Sequence, residues 1–296
     1  MSLSVVVASI VGPPFVDNCL RSLESEARQV GAEVIVVACG AEERAERIAG
    51  QFPWVRLIHR RERETVPALR RRGVLQAQGD IVAIIEEHCV AGEGWLHQAV
   101  GALEGSAYGA CGGPVVDNNY RRLRDWVVYF CEYNGYLPPF EEGETTDLNG
   151  ANIAYRRHLL LRHERRLAEG YWEACLHPIL LAEGVRFRSV PAMRVHHCGP
   201  FDLVYYLRQR YWFSRAFAGA RRATLSPRRR LAYLTAAPLV PAALLARMAG
   251  RAWRKRCRRG WFLASSPLIS VALLAYVAGE WIGYLVGPGD ALLKVE

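Results

Sequence analysis

No Cys-x-x-Cys pair occurs among the eight cysteines, at positions 19, 39, 89, 111, 131, 175, 198 and 257. That spacing excludes a zinc knuckle and a disulfide framework, and scattered thiols of this kind fit a reduced, cytosolic setting. The first apolar run, residues 3–10, is short and has no positively charged leader, so it is expected to be a β-strand rather than a signal peptide, with the N-terminal region remaining in the cytosol. No helix-turn-helix, zinc-finger or RNA-binding signature accompanies the basic residues, so nucleic acid is not expected as a partner. Internal repeats and low-complexity segments are absent as well.

What is present is unevenly placed. A hydrophobic content of 51% over 296 residues is high for a purely soluble chain. The excess lies after residue 231, in two apolar runs split by a basic cluster, while the first two thirds alternate as a soluble enzyme does. Lys and Arg outnumber Asp and Glu by 38 to 29. The surplus gathers at residues 208–230 and 251–259, beside the apolar runs, where it suits anionic lipid head groups. The expected organisation is a catalytic domain over residues 1–200, an amphipathic basic and aromatic interface helix over 201–230, and a membrane module over 231–296.

Residues 3–10 are β-branched and closed by Gly12-Pro13-Pro14, and residues 15–30 carry helical spacing through Leu20, Leu23 and Ala27 up to Gly31. The unit repeats, with strands expected at 33–37, 55–59 and 81–85 and helices at 42–50 and 66–78. Such alternation predicts an α/β fold, a mostly parallel sheet flanked by helices on both faces. Further on, Cys111-Gly112-Gly113-Pro114 reads as a turn after a short strand, 123–133 as an amphipathic helix, and 138–146 as an acidic loop. Residues 149–157 lead into another helix, and 172–183 read as one helix ended by Gly184.

In a sheet of this kind, ligands bind outside the carboxyl ends of the strands. Those ends carry Ser9-Ile10-Val11-Gly12, Ala38-Cys39-Gly40 and Glu86-Glu87-His88. The third is the richest in chemistry. Two carboxylates and an imidazole at the end of a buried strand make an oxygen- and nitrogen-rich site for Mn²⁺ or Mg²⁺, and an ion there would neutralise a diphosphate leaving group. The plain alternative is a solvated turn capping the next helix.

The strand at 3–10, the strand at 33–37 and Ala77-x-Gly79-Asp80-Ile81 before the acidic triplet resemble the successive strands of glycosyltransferase family 2, inverting enzymes of GT-A (Rossmann-like) fold. The resemblance runs along nearly the whole chain. In the family's Asp-x-Asp motif the first acid approaches the ribose and diphosphate and the last binds the metal. Carried over, Glu86 takes the first role and His88 the second, with Ser9, Gly40 and Glu87 beside the donor; Glu and His here replace the two aspartates. Ala38 stands where the family usually has an Asp at the nucleotide base, so neither a UDP- nor a GDP-linked donor is singled out.

The segment Asn149-Gly150-Ala151-Asn152 is similar to the family's Gly-Ala/Gly-Asn stretch next to the donor sugar. Glycine permits close backbone approach, and an Asn amide can both donate to and accept from hydroxyls, so Gly150 and Asn152 are donor-binding candidates. A tight turn before a helix is the bland alternative. Glu173, eleven residues before Gly184, matches in position the family motif that supplies the catalytic base, a carboxylate to take the proton from the attacking hydroxyl. Its alternative is a helix N-terminal Glu stabilised by the dipole. His197 matches the His that often ends the strand after 190–195; it either completes a metal shell with His88 and Glu86 or caps the sheet. Arg208-Gln209-Arg210-Tyr211-Trp212 partly resembles the Gln-x-x-Arg-Trp motif of processive and lipid-linked members. That implies acceptor or phosphate roles for Arg210, Trp212 and Arg215, although an aromatic, basic helix is equally explained by a membrane interface.

Residues 231–246 number sixteen, about 24 Å of helix, and contain Pro238 and Pro241, short of a hydrocarbon core of about 30 Å. Residues 261–286 are long enough to cross, with Glu280 needing a partner such as an Arg or a second subunit. Basic clusters on both sides of the first run oppose a full crossing. The expectation is therefore a re-entrant or interfacial first run and a deeper second one, at the cytoplasmic membrane with the catalytic domain in the cytosol. Functionally, the chain reads as a metal-dependent inverting glycosyltransferase acting on a polyprenyl phosphate, lipid or lipid-linked glycan. Its competitors are a catalytically inactive scaffold and a nucleotide-sensing peripheral module.

Overall fold

A computed structural model describes residues 1–199, 202–222 and 225–295. The expected boundary between catalytic domain and interface helix falls on residues 200 and 201, outside the described residues. The chain forms two compact units: Met1–Asn118 with Pro138–Cys198, and Asn119–Leu137 with Gly199–Glu296.

In the first unit the chain runs β1 (Leu3–Ser9), α1 (Phe15–Val30), β2 (Glu33–Cys39), α2 (Glu42–Gln51), β3 (Arg56–Arg60), α3 (Val66–Gln76), β4 (Ile81–Glu86), β5 (Cys89–Ala91), α4 (Trp95–Leu103), β6 (Tyr108–Gly112) and β7 (Val115–Asp117). After α5 (Leu123–Tyr133), which belongs to the second unit, it returns through β8 (Gly143–Thr145), β9 (Asn152–Arg156), α6 (Arg157–Arg162), α7 (Trp172–Cys175), α8 (His177–Ala182), β10 (Arg186–Ser189) and β11 (Val195–His197).

The large sheet has the order β3-β2-β1-β4-β9-β6-β10-β8. Its first four strands are parallel, as the alternation predicts. Beyond β4 the sheet is mixed, because β9 runs antiparallel to both β4 and β6. Residues 152–156, expected only to lead into a helix, are thus a central strand, and their apolar core Ile153-Ala154-Tyr155 is fully buried. A strand buried on both faces has no alternation to betray it. The expected helix 172–183 is two, α7 and α8, broken at Leu176, with Pro178 in the first turn of the second, where proline is tolerated.

A three-stranded sheet, β5-β11-β7, carries His197. Burial, with His88 nearby, pushes the His197 imidazole down to about 3, so it is neutral at pH 7.

The second unit comprises α5, α9 (Leu203–Arg222), α10 (Pro227–Ala236), α11 (Val240–Arg254) and α12 (Arg259–Val286). The Trp126 ring of α5 stacks on Trp261 with centroids 5.4 Å apart, and Phe130 meets Phe262 edge-on at 5.1 Å. Between α9 and α12 the backbones nearly touch: a Cβ on Gly279 would lie 2.2 Å from the Tyr211 carbonyl oxygen, and one on Gly283 would lie 2.7 Å from that of Arg215. Small residues four apart allow this approach.

Residues 227–254 are helical throughout. A 3-10 turn at Ala237–Leu239 takes Pro238, and Pro241 sits in the first turn of α11, so neither proline ends the helix. The first apolar run is therefore part of 28 helical residues, Pro227–Arg254, not sixteen; with Arg259–Val286 this makes two helices long and apolar enough to cross a membrane, by length and composition. Only 11% of the first apolar window and 39% of the second are buried, where the core helix of a soluble protein is mostly buried.

Gly283→Ala is expected to lower stability by about 1–3 kcal/mol through overpacking of α9 on α12, read as a lowered midpoint in thermal unfolding. Because folding lowers the pKa of His197, the unfolded chain takes up the proton first. Stability is then complete above about pH 6.5 and falls toward pH 3, by at most about 1.4 kcal/mol per pH unit. His197→Gln should flatten that acid limb in denaturant titrations run across pH.

Candidate active site

The carboxyl ends of β1, β2 and β4 open on one edge of the sheet, and Glu87 joins two of them. The Ile10 and Val11 N–H groups each donate to Glu87 Oε1 at 2.8 Å. The Gly12 N–H donates to Oε2 at 2.8 Å and the Ser9 hydroxyl to the same oxygen at 2.7 Å. Both oxygens of this buried carboxylate are thereby engaged, and Ser9 and Glu87 bond each other. Gly12 adopts φ 81°, and the Arg44 side chain lies against it while donating to the Ile10 carbonyl at 2.7 Å. Gly40, with φ 107°, leaves β2; its carbonyl lies 2.9 Å from His59 Nε2, and open space faces its Cα.

Glu86, the last residue of β4, takes a different partner. Arg70 Nη2 donates to Glu86 Oε1 at 3.1 Å, and the arginine is buried while the glutamate side chain is 34% exposed. Arg70 also lies over the Trp172 ring, 6.0 Å from its centroid. His88 packs its ring on Phe15 at 4.7 Å, and its carbonyl accepts from the Cys198 N–H at 2.6 Å, so His88 and the end of β11 are tied together.

On the next strand, Asn152 is wholly buried. Its Oδ1 accepts from Trp95 Nε1 at 2.7 Å, and its Nδ2 donates to the carbonyls of Pro114 at 3.1 Å and Met193 at 2.7 Å. The amide fastens three segments together. Gly150, just before it, donates its N–H to Glu173 Oε1 at 2.6 Å. A Cβ at Gly150 would lie 2.6 Å from that oxygen and 2.9 Å from Arg70 Nη1, so only glycine lets the carboxylate and the guanidinium close on the backbone. Glu173 Oε2 is buried with no hydrogen-bond partner. Behind it the Tyr155 hydroxyl and His177 Nε2 are 2.6 Å apart; burial pushes the tyrosine pKa up and the histidine pKa down, so both are neutral at pH 7.

The structure thus gathers Glu86, Gly150 and Glu173 around Arg70. It joins Ser9 to Glu87, and it sets His88 beside His197. Arg210, Trp212 and Arg215 belong to the second unit. There Arg210 pairs with Glu132 at 2.5 Å, a contact shared with the Tyr206 hydroxyl, which donates to Glu132 at 2.9 Å. Trp212 lies under Lys294, 4.2 Å from its Nζ, and under Arg215, while Arg215 Nε donates to the Gly287 carbonyl at 3.4 Å.

Sequence reasoning passed over Arg70, Tyr155 and His177. Arg70 hides in the run Arg70-Arg71-Arg72, yet it falls in phase with the buried residues Pro67, Gly73 and Val74 of α3, and a lone charge on an apolar helix stripe was the available signal. Tyr155 and His177 had none, because the strand and the helix break that bring them together were not anticipated.

Among the described residues no three His, Cys, Asp or Glu groups could hold a metal by themselves. Glu86, whose side chain is 34% exposed at the end of β4, and His88 two residues on are the oxygen and nitrogen donors nearest to that strand end.

The family model for Glycosyl transferase family 2 matches residues 4–163. No curated protein sequence matches the chain. Among solved structures, the fold is similar to a mannosyltransferase, PcManGT from Pyrobaculum calidifontis, in complex with GDP-Man and Mn²⁺. That likeness has a TM-score of 0.55 at 17% identity, over 94% of this chain and 86% of that one. It is also similar to residues 1–349 of TarS from S. aureus, with a TM-score of 0.53 at 12% identity over 95% and 90%. The same protein in complex with UDP-GlcNAc gives 0.50 at 13%. At these identities the likeness is one of fold, a mixed α/β GT-A sheet flanked by helices. With more than half its length matched by the family model, the chain belongs to glycosyl transferase family 2.

Proposed function

We propose that this protein moves a hexose from a UDP- or GDP-linked sugar to a membrane-associated acceptor, with inversion at the anomeric carbon. Glu173 carries the reading: one carboxylate oxygen is fixed by the Gly150 N–H while the other is buried without a partner. Buried polar atoms are almost always paired, and an unpaired carboxylate oxygen in a cleft is what a general base requires.

In the proposed reaction the acceptor oxygen bonds to the anomeric carbon, the bond from that carbon to the diphosphate breaks, and the acceptor's proton passes to Glu173 Oε2. A polyprenyl phosphate is mostly dianionic at neutral pH and attacks without a base. The base therefore favours a hydroxyl on a lipid or a lipid-linked glycan. Arg70, held between Glu86 and Glu173, contributes a fixed positive charge facing the donor's phosphates. Glu86 and His88 would hold Mn²⁺ or Mg²⁺, and the chemistry it would supply there is charge neutralisation of the leaving group. Ser9, Glu87 and Asn152 act by holding the loops that border the donor, Gly40 and Gly150 by letting backbone approach it, and His197 by supporting His88. The second unit, which carries Arg210, Trp212 and Arg215, attaches the enzyme to the cytoplasmic membrane, with α10 and α11 shallow, α12 deeper and the first unit in the cytosol.

Glu173→Gln is expected to cut sugar transfer about 10²–10⁴-fold while leaving donor affinity within about threefold of wild type, measured by turnover and by calorimetric titration of the nucleotide sugar. Undiminished transfer by this variant would place the base elsewhere. For the membrane arrangement, Arg254→Cys should remain unlabelled by a membrane-impermeant thiol reagent in intact cells and become labelled once they are opened; labelling from outside would mean that Pro227–Arg254 crosses.

A further inference from the structure

The second unit contains a cavity of about 330 Å³ lined by Gly219, Arg222, Leu225, Pro227, Arg230 and Pro288. Three segments meet there: the last turn of α9, the first turn of α10 and the turn after α12. They meet closely, since a Cβ on Gly219 would lie 2.2 Å from the Pro288 nitrogen. At about 30 Å³ per water molecule, the space exceeds what one or two solvent molecules need.

Its charge is uncompensated. Among the described residues neither Arg222 nor Arg230 forms an ion pair; Arg230 Nη2 donates weakly to the Leu285 carbonyl, at 3.5 Å. Asp290, just beyond Pro288, is taken by Lys294 at 2.9 Å. The first turn of α10 adds the positive end of a helix dipole. Two guanidinium groups in a concave site are suited to the oxygens of a phosphate.

The flank of the cavity is apolar and exposed: Leu231 is 61%, Leu285 45% and Val286 64% exposed. Beside them Tyr233 stacks on Tyr284 with centroids 5.4 Å apart. A free phosphate makes no use of such a flank, whereas a molecule with an oxyanion head and hydrocarbon tails uses both parts. We propose that this cavity binds the phosphate of an anionic phospholipid, the two arginines holding the head group and the apolar flank its acyl chains. The assignment rests on the membrane part of the proposed function.

The test uses the full-length chain in mild detergent, titrated with phosphatidylglycerol, phosphatidylcholine and inorganic phosphate. Bound lipid is counted by native mass spectrometry, and thermal midpoints and donor turnover are recorded on the same samples. Phosphatidylglycerol is expected to bind at least about tenfold more tightly than phosphatidylcholine. Arg222→Gln with Arg230→Gln should erase that preference, while Arg228→Gln with Arg229→Gln, outside the cavity lining, should keep it. If the first double variant does not fold, either of its single variants decides the matter, with phosphatidylglycerol binding expected to weaken at least about threefold. Stabilisation by inorganic phosphate without any lipid preference overturns the lipid assignment in favour of a free oxyanion. A preference that survives loss of both arginines, or is missing from the wild type, overturns the site, and unaltered turnover in those samples confines that failure to the cavity. A wild type that neither transfers sugar nor sediments with membranes fails the broader reading instead.

Discussion

A carboxylate removed from water must have its oxygens satisfied, and Glu87 meets that condition by gathering the chain around itself. Its partners come from a single stretch, the Ser9 hydroxyl and three consecutive backbone N–H groups at residues 10–12, while Glu87 itself directly follows β4. The ends of two neighbouring parallel strands are thereby locked in register just where they leave the sheet. Those N–H groups form a small anion cradle of the sort that phosphates otherwise fill. With the cradle occupied from within, the residues on either side, Glu86 and His88, are held at the cleft without being buried in the clasp.

A second feature of this strand end is charge in close quarters. Arg70, buried, pairs with Glu86, and its guanidinium and the Glu173 carboxylate both close on the backbone at Gly150. Buried ion pairs contribute little net stability, but they fix geometry, since losing one partner strands the other. Gly150 permits this because it has no side chain to keep the carboxylate and the guanidinium away from the backbone. Behind them the neutral Tyr155 and His177 pair offers no further charge, so the local field is set by these three groups and by whatever phosphate or cation approaches.

Much of the fold was legible in the sequence because parallel strands bounded by glycine and amphipathic helices have separate periodicities. The run from β1 to β4 lies within a residue or two of its expected bounds. Legibility declined where a segment was short or buried on both faces. Ile153-Ala154-Tyr155 has no alternation, and the break at Leu176 was passed over although Pro178, two residues on, marks the start of a new helix. In the site, sequence reading found acidic residues but not their partners. Neither the clasp on Glu87 nor the three contacts of Asn152 can be read from the chain, because each joins residues tens of positions apart. Pro238 and Pro241 misled in the other direction, since each falls in the first turn of a helical segment, where the missing N–H is tolerated.

The second unit is discontinuous in the chain. Its α5 is made early, inside the sequence of the first unit, whereas the Trp261 and Phe262 rings against which Trp126 and Phe130 pack come near the end. During synthesis at about 5–20 residues per second, that aromatic face waits on the order of ten seconds for its partners. Until α12 has been made, the Trp126 and Phe130 rings of α5 lack these partners, so this unit closes only when its last α-helix is delivered.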